Sequence, residues 1–303
     1  MLPEANQDAR VKLACETILK EKLSNIIVFG KEEEFSSIFQ NNSLCKIIDI
    51  EKDENFDNFA TQLYEMRKSK GLTQDEAKEL VKKPTYFAML LLKNDMADGV
   101  VAGAKYSTAD VLRPGLQIIK TKPGKKVVTG GMLMIKKGCK PLFFGDVSLI
   151  QQPTSEELAE IAIASADFMK KVVGEEPQVA MLSFSTKGSA KHEMVDKVQQ
   201  ATEIAKSKSE YAIDGEMQAD SALDLATSQK KGITSSVGGN ANVLIFPDLD
   251  AGNIGYKLVA RLGGYDAIGP IMLNFNKPIN DLSRGCTVQE IINTVIITKL
   301  LSE

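Results

Sequence analysis

The sequence predicts an α/β protein built on parallel strands, and three observations carry that expectation. First, two short apolar runs, SNIIVFG (24–30) and CKIIDI (45–50), flank a charged segment, KEEEFSSIFQ, as β-α-β winding requires. Second, later apolar runs pass into polar turns and then into helical patterns: DGVVAGA into Lys105–Asp110, VAML into Ser183–Ser189, and ANVLIF into Pro247–Gly252. Ligands of open α/β sheets gather at such strand ends. Third, 303 residues with 43% hydrophobic content suffice for two domains or one large α/β unit.

Taken in order, residues 9–24 space Val11, Leu13, Ala14, Ile18, Leu19 and Leu23 along one helical face. A helix over 57–70 ends at Gly71 with Arg67, Lys68 and Lys70 in its last turns, where basic residues are ordinary composition. Thr73-Gln74-Asp75-Glu76 is a capping box for the next helix; Pro84 interrupts the pattern, and TYFAMLLLKN resumes as a buried helix. After the 98–104 strand, Ser107 and Thr108 either cap a helix or bind an anion. Arg113 suits a ligand or a structural ion pair, and Pro114 blurs the helix start. The break TKPGKK (121–126) is the candidate crossing into a second domain. Beyond it, KVVTGGMLMI and PLFFGDVSLI read as adjacent strands, and PTSEELAEIAIASADFMKKV as a capped amphipathic helix. The turn holding Ser183, Ser185, Thr186, Lys187, Gly188 and Ser189 looks like a phosphate cradle without Walker spacing. His192 reads as a surface or structural residue, ahead of a helix over 195–208. Asp214, Glu216 and Asp220 match no metal-ligand spacing and read as solvated or capping carboxylates. Asn253 stands near the start of the helix that follows Pro247–Gly252, with Lys257 about one turn inside it.

The terminal stretch Asn276–Glu290, NKPINDLSRGCTVQE, brings Asp281, Ser283, Arg284 and Glu290 together ahead of an apolar run. Thr287–Glu290 is a capping box, and the helix it starts favours an anion held by Arg284. The same box occurs at Thr73 and Thr154, so local pattern alone makes Glu290 a cap.

Composition excludes several function classes. A net charge of −3 gives no reason to expect nucleic-acid binding, and no apolar run approaches the ~20 residues of a membrane span. The first residues carry no secretory pattern. Cys15, Cys45, Cys139 and Cys286 are scattered, which fits reduced thiols in a cytoplasm and argues against zinc. A single histidine removes most Ser-His-Asp, Cys-His and histidine-metal mechanisms, leaving Arg, Lys, Ser and carboxylates. No G-x-G-x-x-G fingerprint supports a nicotinamide cofactor.

Three segments together resemble the phosphate acetyltransferase (phosphotransacetylase) family: VAMLSFSTKGSAK, ANVLIFPDLDAGNIGYKLVARLGG and NKPINDLSRGC. LPEANQDAR, LYEMRKSKG and DGVVAGAKYSTADVLRPGLQIIKT extend the similarity over nearly the whole chain. The resemblance implies a fold like that of isocitrate and isopropylmalate dehydrogenases: two α/β domains with a cleft between them. The expected division is 1–123 with 278–303, the last helix returning to the first domain, and 124–277. It implies a cytoplasmic homodimer that reversibly transfers an acetyl group between acetyl phosphate and coenzyme A. Coenzyme A is then a substrate, with acetyl-CoA and phosphate on the other side; no cofactor is permanently bound and no metal takes part.

Carried over by position, the resemblance assigns Ser283 and Arg284 to the active site, with Arg113 beside them and Arg67 as a further contact for an anionic substrate. Ser107, Thr108, Ser185, Thr186, Asn253 and Lys257 complete the expected substrate-binding set. The family's general base is an aspartate six residues beyond the SRG arginine; here that position is Glu290, one methylene longer. The chemistry fits these types. A thiol of pKa ~8.5 is little ionised at neutral pH, so a carboxylate that takes its proton assists attack. Guanidinium forks suit phosphate. The competing expectations are a propionyl or butyryl preference, a non-catalytic acyl-CoA-binding regulatory domain, and a decarboxylating dehydrogenase. A covalent route through Cys286 lacks a local histidine or lysine to activate the thiol.

Overall fold

A computed structural model describes all residues from Met1 to Glu303. The chain divides into two compact α/β units, Met1–Lys122 with Phe275–Glu303, and Pro123–Asn274.

The first unit holds two parallel strand pairs. β1 (Ile26–Phe29) pairs with β2 (Cys45–Ile48), and β3 (Val100–Ala102) pairs with β10 (Ile279–Asp281). Met1 and Leu2 lie between the pairs: Leu2 N donates to Ile27 O at 3.0 Å, and Val101 N donates to Met1 O at 2.9 Å. This placement carries the residues after Leu2 toward the ends of β1 and β3. The helices are α1 (Ala9–Lys20), α2 (Ser37–Gln40), α3 (Phe56–Arg67), α4 (Gln74–Val81), α5 (Pro84–Lys93) and α6 (Thr108–Pro114), with α12 (Val288–Leu300) after β10. Asp8 caps α1 by accepting from Arg10 N and Val11 N. Pro84 opens α5 as its first residue, where its missing N–H costs nothing, and α5 buries Thr85 through Leu92. Apolar faces of α1 and α12 close on Leu2, Val28, Val101 and Leu282 to form the core beneath the site.

The second unit is a six-stranded mixed sheet in the order β7-β6-β8-β5-β4-β9. β5 (Leu142–Gly145), β6 (Gln178–Leu182), β7 (Ala212–Met217) and β8 (Val243–Ile245) run parallel to one another. β4 (Thr129–Ile135) is antiparallel to β5 and to the edge strand β9 (Asp266–Leu273). The helices are α7 (Ser155–Phe168), α8 (Glu193–Lys208), α9 (Ala219–Leu223), α10 (Leu225–Lys230) and α11 (Leu249–Gly263). His192 caps α8, its Nδ1 accepting from Met194 N at 3.2 Å. No helix is long and apolar enough to cross a membrane.

Candidate active site

In the first unit β3 and β10 are parallel and in register at Ala102 and Asp281, so the loops that follow them leave side by side. Leu282 N extends the pairing by donating to Ala102 O at 2.6 Å. The loop after β3 is organised by Glu4, whose side chain is almost wholly buried. Its Oε2 accepts from Gly103 N at 2.9 Å and Ala104 N at 3.1 Å; Oε1 accepts from Lys105 N at 2.7 Å and Tyr106 N at 2.8 Å. Four successive amides turned inward form the kind of concavity that binds anions, and here the chain's own carboxylate fills it. Gly103 is held at φ +113°, and a Cβ there would collide with the Asp281 carboxyl and the Leu282 backbone.

Ser107 caps α6: its Oγ accepts from Asp110 N at 3.2 Å and donates to Asp110 Oδ2 at 2.6 Å. Thr108 stands beside the carboxyl of Asp281. Asp281 is buried, and its Oδ1 has no hydrogen-bond partner. Burial pushes this carboxyl up to about 6; the neighbouring Thr108 hydroxyl opposes the shift and nearby Glu4 adds to it.

The SRG turn beyond β10 is fixed from α1. Arg10 uses all of its N–H groups: Nε and Nη2 fork onto Asp8 at 3.1 and 2.7 Å, and Nη2 also reaches Ala104 O at 2.9 Å. Nη1 donates to Arg284 O at 2.9 Å and Cys286 O at 2.8 Å. The Arg10 hydrogen bond holds the Asp8 carboxyl below its usual range. Gly285 N donates to Ser283 Oγ at 3.2 Å, and both Ser283 and Arg284 face solvent. Arg284, Arg113 and Arg67 differ from Arg10, because no hydrogen bond or ion pair within the chain holds their guanidinium groups. Arg113 and Arg67 share one neighbourhood. Burial raises the Tyr86 phenol, whose hydroxyl donates to Gln117 at 3.1 Å, and these two arginines pull it back.

Glu290 makes the predicted cap. Its Oε2 accepts from Thr287 N at 2.6 Å while its own N donates to Thr287 Oγ1 at 3.2 Å. Oε1 has no hydrogen bond within the chain, and the side chain is half-buried. Cys286 is buried beside it; burial raises its thiol, Arg10 opposes the shift, and Glu290, Asp8 and Glu4 reinforce it. That environment leaves the thiol protonated and unreactive.

In the second unit the loop after β6 has its own internal carboxylate. Ser185 is fully buried; its Oγ donates to Glu216 Oε1 at 2.8 Å and accepts from Ala190 N at 3.1 Å. Gly188 N also donates to Glu216 Oε1, at 2.7 Å, and Gln199 Nε2 donates to Oε2 at 2.9 Å. Burial opposes the ionised form of Glu216, yet these bonds outweigh it and hold the carboxyl low. Thr186 Oγ1 accepts from Gln218 N at 3.0 Å. Lys187 Nζ reaches Asp214 Oδ1 at 2.5 Å, and Ser235 donates to Asp214 Oδ2 at 2.6 Å. Asp214 and Glu216 are therefore neither solvated nor helix caps: both are buried and tie down this loop. Asp220 is exposed and pairs with Lys231.

Asp146 repeats the device after β5, accepting from Thr129 Oγ1 and Gly130 N on one oxygen and from Ser148 N and Leu149 N on the other. Asn253 Nδ2 donates to Val147 O at 3.0 Å, and Lys257 is exposed on α11 over the ring of Tyr256. Sequence reasoning assigned no role to Glu4, Asp8, Arg10 or Asp146. The first three lie in LPEANQDAR, whose similarity was the one signal for them.

In the first α/β unit, the unpaired guanidinium groups of Arg67, Arg113 and Arg284 and a half-open carboxylate make a set of side chains suited to small anionic ligands. The chain belongs to the family described as Phosphate acetyl/butaryl transferase, whose family model matches residues 1–299. It is 46% identical to the phosphate acetyltransferase of Thermoanaerobacterium thermosaccharolyticum, over 100% of this chain and 94% of that one. With that of Clostridium acetobutylicum it shares 48% identity over 96% of this chain and 91% of the other. Among solved structures, EutD phosphotransacetylase from Staphylococcus aureus is similar with a TM-score of 0.91 at 42% identity, covering 100% of this chain and 93% of that one. A phosphotransacetylase from Streptococcus pyogenes gives 0.93 at 41%, with the same coverage.

Proposed function

We propose that this acyltransferase moves an acetyl group reversibly between acetyl phosphate and coenzyme A, with Glu290 as general base. The observation that carries the reading is the geometry of Glu290: one carboxylate oxygen is anchored on the Thr287 amide and the other is open, six residues past Arg284 and in the first turn of the helix that follows the Ser283–Arg284 turn. The names of the relatives support the substrate pair. In the step proposed, Glu290 takes the thiol proton as sulfur bonds to the acyl carbon. The bond from that carbon to the phosphate oxygen breaks, phosphate leaves with the electron pair, and the proton passes to it. Arg284, with Arg113 and Arg67, balances the phosphate charge through guanidinium forks. Ser283 hydrogen-bonds the thiol, the carbonyl oxygen or the phosphate.

Acyl preference is tested in the same assay: coenzyme A-dependent thioester formation from acetyl, propionyl and butyryl phosphate, with a chelator present. The expected result is fastest turnover of acetyl phosphate and no dependence on the chelator. Failure with all three would sink the enzyme reading and favour a non-catalytic acyl-CoA-binding role.

The protein is further read as a cytoplasmic homodimer. Ile254, Leu258 and Leu262 are 56%, 52% and 84% exposed at four-residue spacing on α11, in the unit whose sheet has β9 as one of its two edges. A helical stripe of this kind is self-complementary under a two-fold axis. Light scattering after chromatography is expected to give a dimer, and Leu258→Glu a monomer. A wild-type monomer would refute the assignment.

A further inference from the structure

We propose that Arg10, oriented by Asp8, is the positioning residue that locks the SRG turn to the loop after β3 and so aims the Arg284 guanidinium at the phosphate. The inference rests on the activity proposed above. Arg10 is the one site arginine whose donors are all committed inside the chain: two bonds go to Asp8, one to Ala104 O, one to Arg284 O and one to Cys286 O. A guanidinium offers no further N–H, so Arg10 has none left for a substrate anion. Its three carbonyl acceptors belong to the two loops that leave β3 and β10, and Glu4 clamps the amides of the first loop from the other side. Ser283 and Arg284 sit in a turn whose only internal side-chain bond is Gly285 N to Ser283 Oγ, at 3.2 Å. Without Arg10 the turn keeps its covalent path and loses its reference to α1 and β3. Lysine cannot substitute, because three donors on one nitrogen cannot span a carboxylate and three carbonyls lying in different directions.

Misplacing a reacting group by about 1 Å can cost ~10²-fold in rate, which sets the expected effect. Arg10→Lys should lower kcat by about 30-fold or more and leave KM for coenzyme A and acetyl phosphate within about threefold. Asp8→Asn keeps a good cap on α1 and removes the charge that orients the fork, so it should show a smaller loss of the same kind. The decisive measurement is a double-mutant cycle. If Arg10 acts through Arg284, adding Arg10→Lys to Arg284→Ala lowers kcat no further than about threefold.

Additive losses would overturn the proposal, as would a rise in KM with kcat unchanged, which would make Arg10 a substrate contact. Amide hydrogen exchange gives a readout independent of turnover. Arg10→Lys should speed exchange at residues 283–287 and 104–107 and leave α7 and α8 unchanged; unchanged exchange in those two loops would refute the clamp. If wild-type protein turns over no acyl phosphate, the activity reading fails while the exchange arm still decides whether the clamp exists.

Discussion

Glu290→Gln separates two roles that the sequence left in competition. The capping bond from Thr287 N ends on Oε2 at 2.6 Å, and glutamine presents a carbonyl oxygen of the same reach, an accepted partner in a capping box. The substitution therefore keeps the start of α12. Loss of such a cap costs about 1 kcal/mol, or ~2–4 °C in melting temperature, so a smaller shift marks the cap as intact. What glutamine cannot do is take a proton. General-base assistance is worth ~10²–10⁴ in rate, which is ~3–5 kcal/mol of barrier. The expected result in a steady-state thioester assay is a fall in kcat of at least ~100-fold with the melting temperature held within ~2 °C. Glu290→Asp restores the residue the family resemblance expects and should stay within about tenfold of wild type. A fall of less than about tenfold in Glu290→Gln, with the cap intact, would make Glu290 a cap alone.

Three further substitutions test the supporting structure. Glu4→Gln leaves two of the four loop amides without a carboxylate oxygen; at ~1.5–3 kcal/mol for each bond to a charged group, melting should fall by about 10 °C, and a shift under ~3 °C would refute the role. Asp281 binds its proton more tightly folded than unfolded, with a folded value of about 6, so its contribution to stability is complete below the unfolded value and is lost as pH rises through about 6. Asp281→Asn should therefore gain on wild type by about 2 kcal/mol between pH 4 and 8 in denaturant unfolding, and a constant difference would refute the shift. Arg284→Ala should cut kcat/KM by ~10²-fold or more at unchanged melting temperature, and a near-normal rate would remove it from the phosphate site.

The elements with strong periodic signals were legible: the α1 face, except that Leu13 is exposed and Leu23 lies past the helix end, the paired strands 24–30 and 45–50, and the capping boxes at Thr73, Thr154 and Thr287 all form. Edge strand β9 was not assigned, since its Gly269-Pro270 pair reads as a turn. The carboxylates were the harder case. Glu4 meets its four amides about a hundred residues away, and Asp214 meets Lys187 across 27. Spacing along the chain carries no trace of partners made by parallel sheet pairing. Glu290 was legible as a cap because its partner is three residues away, and as a base only through resemblance.

Those buried carboxylates change how the anion-binding chemistry is distributed. A polar turn at a strand end reads, in sequence, as a cradle of free amides for phosphate. In this chain the cradle after β3 is filled by Glu4, the one after β6 by Glu216, and the one after β5 by Asp146. Internal carboxylates rigidify these loops and repel a second anion from the same amides, so phosphate selectivity shifts to side chains that carry full charge. Of the arginines near the first-unit loops, Arg10 has all its donors committed to the fold, whereas Arg284, Arg113 and Arg67 retain theirs. Activity should accordingly be sensitive to charge-neutral replacement of these three, and to the rigidity that Glu4 and Arg10 impose. It should be insensitive to Ser185→Ala beyond the loss in stability, because that hydroxyl already donates to Glu216.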